Sequence, residues 1–136
     1  MKYSGHIRLY ILPYLWAGFI LFATIANVGT LKRLQFTDLF TYDKPIHMFL
    51  FSTQAYLWIR ARAGMESVKI KTIRWICILV AIYGFLTEVF QSLFTTTRQF
   101  DIYDWIADAL GCIIVYTGYY FYYRKREIKQ QSVRSE

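Results

Sequence analysis

Seven ionisable residues stand at the edges of long apolar runs in this 136-residue chain: Asp43, His47, Glu88, Arg98, Asp101, Asp104 and Asp108. A charged side chain at the centre of a membrane helix costs about 2.5–3.5 kcal/mol on insertion scales. Several such groups at one depth are therefore expected to serve one another, an ion or a substrate. Carboxylates and an imidazole together offer oxygen and nitrogen ligands to zinc, manganese or magnesium, which makes His47, Glu88, Asp104 and Asp108 candidate ligands of a divalent cation. Glu88, desolvated inside an apolar run, is a candidate general acid or base. Arg98, together with Lys44, can hold a phosphate or carboxylate, the arginine in bidentate fashion.

The spacing groups these residues. Asp43 and His47 are four apart, Glu88 and Gln91 three apart, and Asp104 and Asp108 four apart, so on helices each pair shares a face. The reading that follows gives catalysis to Glu88, with His47 and Asp104 orienting a proton or a metal. Asp43, Lys44, Gln91, Arg98, Asp101 and Asp108 are then the substrate-binding candidates. Plainer roles compete. Asp104 and Asp108 at a helix N-terminus favour the helix dipole, Asp101 suits an N-cap, and Asp43 before Lys44-Pro45 fits helix initiation. His47 can be an interhelical hydrogen-bonding residue, and Gly84, Gly111 and Gly118 can simply permit close helix packing. Glu88 has no comparable plain role, since a carboxylate inside an apolar span is a functional hypothesis by default.

The elements that must position these groups are apolar. The chain is 56% hydrophobic and 20% aromatic, and its charge sits in blocks between nearly uncharged stretches, as in a multispanning membrane protein. The expected fold is all-α: a bundle of four transmembrane helices over residues 1–123, followed by a frayed, basic, polar tail over 124–136. The runs extend from Leu9 to Val28, with Pro13 in the first turns; from Pro45 to Ile59, which is short; from Ile73 to Phe94; and from Tyr103 to Tyr123. Residues 29–44 are expected to form a short interfacial segment between the first two spans, with an ordinary loop packed against the helix ends as the alternative. Tyrosine and tryptophan near the run ends (Tyr10, Trp58, Trp75, Tyr103 and Trp105 among them) fit an aromatic belt.

Charge sets the orientation. Twelve of the sixteen Lys and Arg residues lie before the first run, between the second and third, or after the fourth; Lys32, Arg33, Lys44 and Arg98 are the other four. That asymmetry places both termini in the cytoplasm and the polar residues on the outer side of the cytoplasmic membrane. The net charge of +7 does not point to nucleic acid, because the basic residues flank apolar runs and no recognition motif accompanies them. Membrane lipids are the expected neighbours. Cys77 and Cys112 fall within apolar runs, at different expected depths, and read as small packing residues rather than a disulfide.

The ordered segments Asp43-Lys44-Pro45-Ile46-His47, then Gly84 to Gln91 (GFLTEVFQ), then Arg98 to Asp104 (RQFDIYD) and Asp108-Ala109-Leu110-Gly111 resemble the VanZ-like family. Its pattern runs roughly DK..H, then G...E..Q, then R..D..D...N..G, so the likeness covers about residues 43–111. This chain has Asp108 where that family usually has asparagine, which adds a negative charge and removes an amide. The resemblance implies a small multispanning bacterial protein of the cell envelope, linked through the family's founding member to low-level teicoplanin resistance.

Three functions remain open from sequence: a site that binds or processes an amphiphilic envelope molecule such as a lipid-linked wall precursor or glycopeptide-related ligand; a non-enzymatic binder or shield that alters antibiotic or lipid access; and a structural bundle without chemistry of its own. A transport pathway through four short spans would require an oligomer.

Overall fold

The computed structural model describes the backbone of residues 4–26, 43–64, 68–94 and 100–134, and the side chains of 8–24, 44–64, 68–94 and 100–126. Arg98, the side chain of Asp43 and the expected interfacial segment up to residue 42 lie outside the described residues. Within them the chain is all-α: α1 (Ser4–Ala26), α2 (Asp43–Ala63), α3 (Ile70–Phe94) and α4 (Ile102–Arg134), with no strand.

The expected boundaries shift in three places. The second helix has 21 residues, about 31 Å at the α-helical rise, and is not the short element its apolar run implied. The fourth continues through the basic residues to Arg134, so the tail expected to fray after Tyr123 is helical. Pro13 lies well inside α1 instead of in its first turns, because the helix begins at Ser4. Its ring supplies no N–H to the preceding turn. Its carbonyl accepts a hydrogen bond of 3.2 Å from Gln54 Nε2 on α2.

Among the described residues α3 alone is long and apolar enough to cross a membrane by length and composition, and α1 contains a shorter apolar stretch, Arg8–Thr24. The four spans expected from the sequence are thus seen as four helices, one of which meets that measure. Of these, α2 and α4 fall short for visible reasons. Polar His47, Ser52, Thr53 and Gln54 interrupt α2, and much of the bulk of α4 is tyrosine.

Cross-helix contacts define an up-down-up-down bundle. Tyr10 meets Trp58 and Trp16 Nε1 donates to the Leu50 carbonyl, so α1 and α2 run antiparallel. Lys44 reaches Asp104 and His47 reaches Asp108, so α2 and α4 run parallel. Tyr83 donates to the Ala17 carbonyl and Gln91 to the Thr24 carbonyl, so α1 and α3 run parallel. The start of α2, the end of α3 and the start of α4 therefore meet at one end of the bundle. The apolar core is built on Ile20, Phe51, Ala55, Ile59, Ile73, Val80 and both cysteines.

Two glycines bring α4 close to its neighbours. A Cβ on Gly84 would lie 2.7 Å from Asp108 Oδ2 and 3.1 Å from Phe51 Cε1, and one on Gly111 would collide with the Met48 carbonyl. Both sites accept only hydrogen where the helices touch. Gly118 has nothing within 4 Å, so the close-packing role expected of it does not apply. Cys77 and Cys112 are free and buried, yet they line one groove between α3 and α4; the different depths expected for them are not observed.

The distribution of polarity on α3 is inverted relative to a soluble helix. Its buried face is Ile73, Cys77, Val80, Gly84, Thr87, Glu88 and Gln91, increasingly polar toward the C-terminal end. Its exposed face carries Trp75, Leu79, Ile82, Leu86, Phe90 and Leu93. Apolar side chains outside and polar ones inside is the arrangement that an apolar solvent favours.

Candidate functional site

Two tiers of polar residues occupy the end of the bundle where α2, α3 and α4 meet. The outer tier is anchored by the first turn of α4. Asp101 caps that helix: its Oδ1 accepts the Tyr103 amide at 2.8 Å, and its carbonyl accepts the amides of Asp104 and Trp105. Lys44, in the first turn of α2, donates to Asp104 Oδ1 at 3.4 Å and lies 4.0 Å from Asp101 Oδ2. Its ammonium also sits 5.8 Å from the centre of the Tyr103 ring, within cation–π range. The side chains of Lys44 and Asp101 remain 54% and 44% exposed whereas that of Asp104 is nearly covered, so this tier presents an ion pair outward.

The inner tier lies about one turn deeper and is sealed. His47 Nδ1 is 3.0 Å from Asp108 Oδ1 and 3.9 Å from Glu88 Oε1. All three residues are buried, Glu88 at 1% exposure and Asp108 at 0%. Neither carboxylate oxygen of Glu88 accepts a hydrogen bond. Phe51, one turn after His47, lays its ring nearly parallel to the imidazole at 6.5 Å between centres and also packs against Gly84. The position of each group follows from local sequence: His47 is four residues into α2, Glu88 six from the end of α3, and Asp108 six past the start of α4. At 1.5 Å per residue these offsets are about 6–9 Å along each axis, which brings the three to a common level.

The expected grouping is thus rearranged. Asp104, expected beside His47 in catalysis or metal binding, turns to Lys44, and Asp108 stands beside the imidazole. The reason is helical phase combined with parallel packing: Lys44 and His47 on α2 face Asp104 and Asp108 on α4 in matching order. Gln91, read as a substrate contact, donates to the Thr24 carbonyl at 3.4 Å and so ties α3 to α1. Asp101 has the capping role open to it from sequence. His47, Glu88 and Asp108 are brought together, with one ligand-capable atom from each within 4.8 Å of the others.

Sequence reasoning missed several supporting residues. Gln54 and Ser52, polar positions inside an apolar run, link α2 to backbone carbonyls of Pro13 on α1 and Gly111 on α4. Trp105 Nε1 donates to the Ala81 carbonyl at 3.0 Å and fastens the start of α4 to α3. Phe51 was signalled by its i, i+4 relation to His47. The recurrent bond type, a side chain reaching a carbonyl on another helix, supplies directed cohesion between otherwise apolar helices.

Below the inner tier, between α3 and α4, an open groove of about 260 Å³ is lined by Cys77, Ile78, Ala81, Ala109, Cys112 and Ile113, with Arg74 and Tyr116 at its far end. Ala109 adjoins Asp108 in the chain, so the groove starts at the level of the polar cluster. Chemically, this end of the bundle combines a part-exposed Lys44–Asp101 ion pair, a buried imidazole between two acids, and a neighbouring apolar groove lined by none of these residues. Comparison of the chain with family models, with curated proteins and with solved structures returns no match.

Proposed function

We propose that this protein is a multispanning component of a bacterial cytoplasmic membrane, VanZ-like in its motifs, which binds the headgroup of an amphiphilic cell-envelope molecule at its outer face. Both termini lie in the cytoplasm on this reading, and the Lys44 end of the bundle faces outward. The basic residues support the orientation, since most flank the opposite end. The inverted polarity of α3 supports the membrane setting.

One arrangement supports the choice of ligand: the part-exposed Lys44 ammonium lies above a buried acid–imidazole cluster, and a separate apolar groove runs between α3 and α4 nearby. A ligand with an anionic head and a hydrocarbon tail matches that sequence of surfaces. Lys44 would meet a phosphate, His47 and Glu88 would lie beneath it, and the tail would follow α3 and α4. A lipid-linked wall precursor has this chemistry. Glu88 and His47 are also suitably typed for proton transfer to such a headgroup, which gives the processing version of the function.

The decisive experiment purifies the full chain in mild detergent with lipid-linked precursor and follows both retained lipid and any product by mass spectrometry. Stoichiometric retention that is lost in Lys44→Ala and His47→Ala establishes the binding site. A covalent change in the retained lipid identifies an enzyme, and retention without change identifies a binder. No retention by the folded wild-type chain removes the reading. A single cysteine replacing Lys44, labelled in intact cells by an impermeant maleimide, tests the orientation; the native cysteines are buried and give little background. Labelling only after membrane rupture would reverse the topology.

A further inference from the structure

We infer that His47, Glu88 and Asp108 together form a binding site for a divalent cation of the zinc class. The inference rests on the same cluster being the functional site, and it specifies what the inner tier holds.

Ligand type comes first. One imidazole nitrogen and two carboxylate oxygens are ordinary donors for zinc, and each comes from a different helix. Distances follow. Donors in a tetrahedral zinc site at about 2.0–2.2 Å from the metal stand roughly 3.3–3.6 Å from one another. The His47 Nδ1 distances of 3.0 Å to Asp108 Oδ1 and 3.9 Å to Glu88 Oε1 straddle that spacing, and all three donors lie within 4.8 Å. Small side-chain rotations would therefore close the three around one ion.

Glu88 supplies the independent observation. It is 1% exposed, both of its carboxylate oxygens are enclosed, and no hydrogen bond of ordinary geometry reaches either, the His47 imidazole standing 3.9 Å away. Nearly all buried polar groups find such partners, because the cost of desolvation is otherwise uncompensated. A cation between Glu88 and His47 provides the missing partner. Charge balance agrees: two carboxylates and a neutral imidazole around a divalent ion sum to zero, the state least penalised in an apolar interior.

The surroundings select the metal. Magnesium keeps several waters in a strict octahedron, and calcium takes six to eight oxygens. This cluster is walled by Phe51 and the close approach of Gly84, and it includes a nitrogen donor. Three protein donors with one remaining position suit zinc.

The test loads the purified full-length protein in detergent with zinc chloride, removes loose metal by desalting, and measures zinc per chain. One zinc per wild-type chain is expected, with affinity lowered at least about 100-fold in Glu88→Gln and Asp108→Asn, since even outer-shell changes at metal sites cost 10–100-fold. X-ray absorption on the wild type should show only nitrogen and oxygen at about 2.0–2.2 Å and no sulfur near 2.3 Å. That measurement stands even if a variant fails to fold. Failure of helical, folded wild type to retain zinc overturns the inference. So does sulfur in the first shell, or equal retention by both variants, which would place the metal elsewhere, for example at His6. Lipid retention is read on the same samples: lipid without zinc sinks the metal site alone, and zinc without lipid sinks the lipid-binding function alone.

Discussion

The imidazole of His47 and the carboxylate of Asp108 meet at 3.0 Å across 61 positions of sequence, inside the bundle, with Asp108 fully enclosed. This contact joins α2 to α4 at the level where Gly84 and Gly111 hold α4 against its neighbours. A buried pair of this kind is costly to break on one side, because the surviving partner stays desolvated. Asp108→Ala should therefore lower stability by about 3–5 kcal/mol, the range for losing one member of a buried pair. Asp108→Asn keeps the size and one acceptor for His47, and it should cost much less. Thermal unfolding in detergent, followed by circular dichroism, compares the two; equal losses would show that the contact depends on the carboxylate charge and not on the shape and acceptor that asparagine keeps.

Glu88→Gln separates function from fold. The amide matches the carboxylate in shape, and Glu88 makes no hydrogen bond for the change to break. Helical content should stay at the wild-type level, while retention of an anionic amphiphile changes through loss of the charge beside His47. Unaltered retention would exclude Glu88 from the site.

The glycines make a sharp internal comparison. Gly84→Ala pushes a methyl group against Asp108 and Phe51, and Gly111→Ala pushes one against the Met48 carbonyl. Each should destabilise by about 1–3 kcal/mol, the usual cost of overpacking. Gly118→Ala meets nothing within 4 Å and should be neutral or slightly stabilising through helix propensity. Melting temperatures of the three variants measured side by side check the order; a loss at Gly118 equal to the other two would contradict the packing described.

Lys44 is exposed enough for water to screen its pair with Asp104. Lys44→Ala should accordingly change stability by less than about 1 kcal/mol. Its effect should fall on binding of an anionic headgroup, and wild-type binding should weaken as salt rises. Titration of lipid-loaded micelles at two ionic strengths reads both effects, and a salt-independent affinity would remove Lys44 as the headgroup contact.

Asp101 has a simpler assignment as the N-cap of α4. Asp101→Ala should cost about 0.5–2 kcal/mol, whereas Asp101→Asn or Asp101→Ser should restore most of the loss. Failure of the capping replacements to restore stability would give Asp101 a further role.

Much of this molecule is written locally. Apolar runs bounded by charge mark four helices, and the i, i+3 and i, i+4 spacing of Asp104 with Asp108 and of Glu88 with Gln91 puts polar residues on shared faces. These follow from composition and helical period alone, as does the presence of polar groups from α2, α3 and α4 at one end of an up-down-up-down bundle. Partner choice is a different matter, because it depends on rotation about each helix axis and on how closely the axes approach. Side-chain volume sets both. Gly84 and Gly111 let α4 approach until Asp108, not Asp104, stands beside His47, and the parallel run of α2 and α4 then leaves Asp104 to Lys44. Cys77 and Cys112 share a groove for the same reason: helical register between distant segments exists only once the helices have packed.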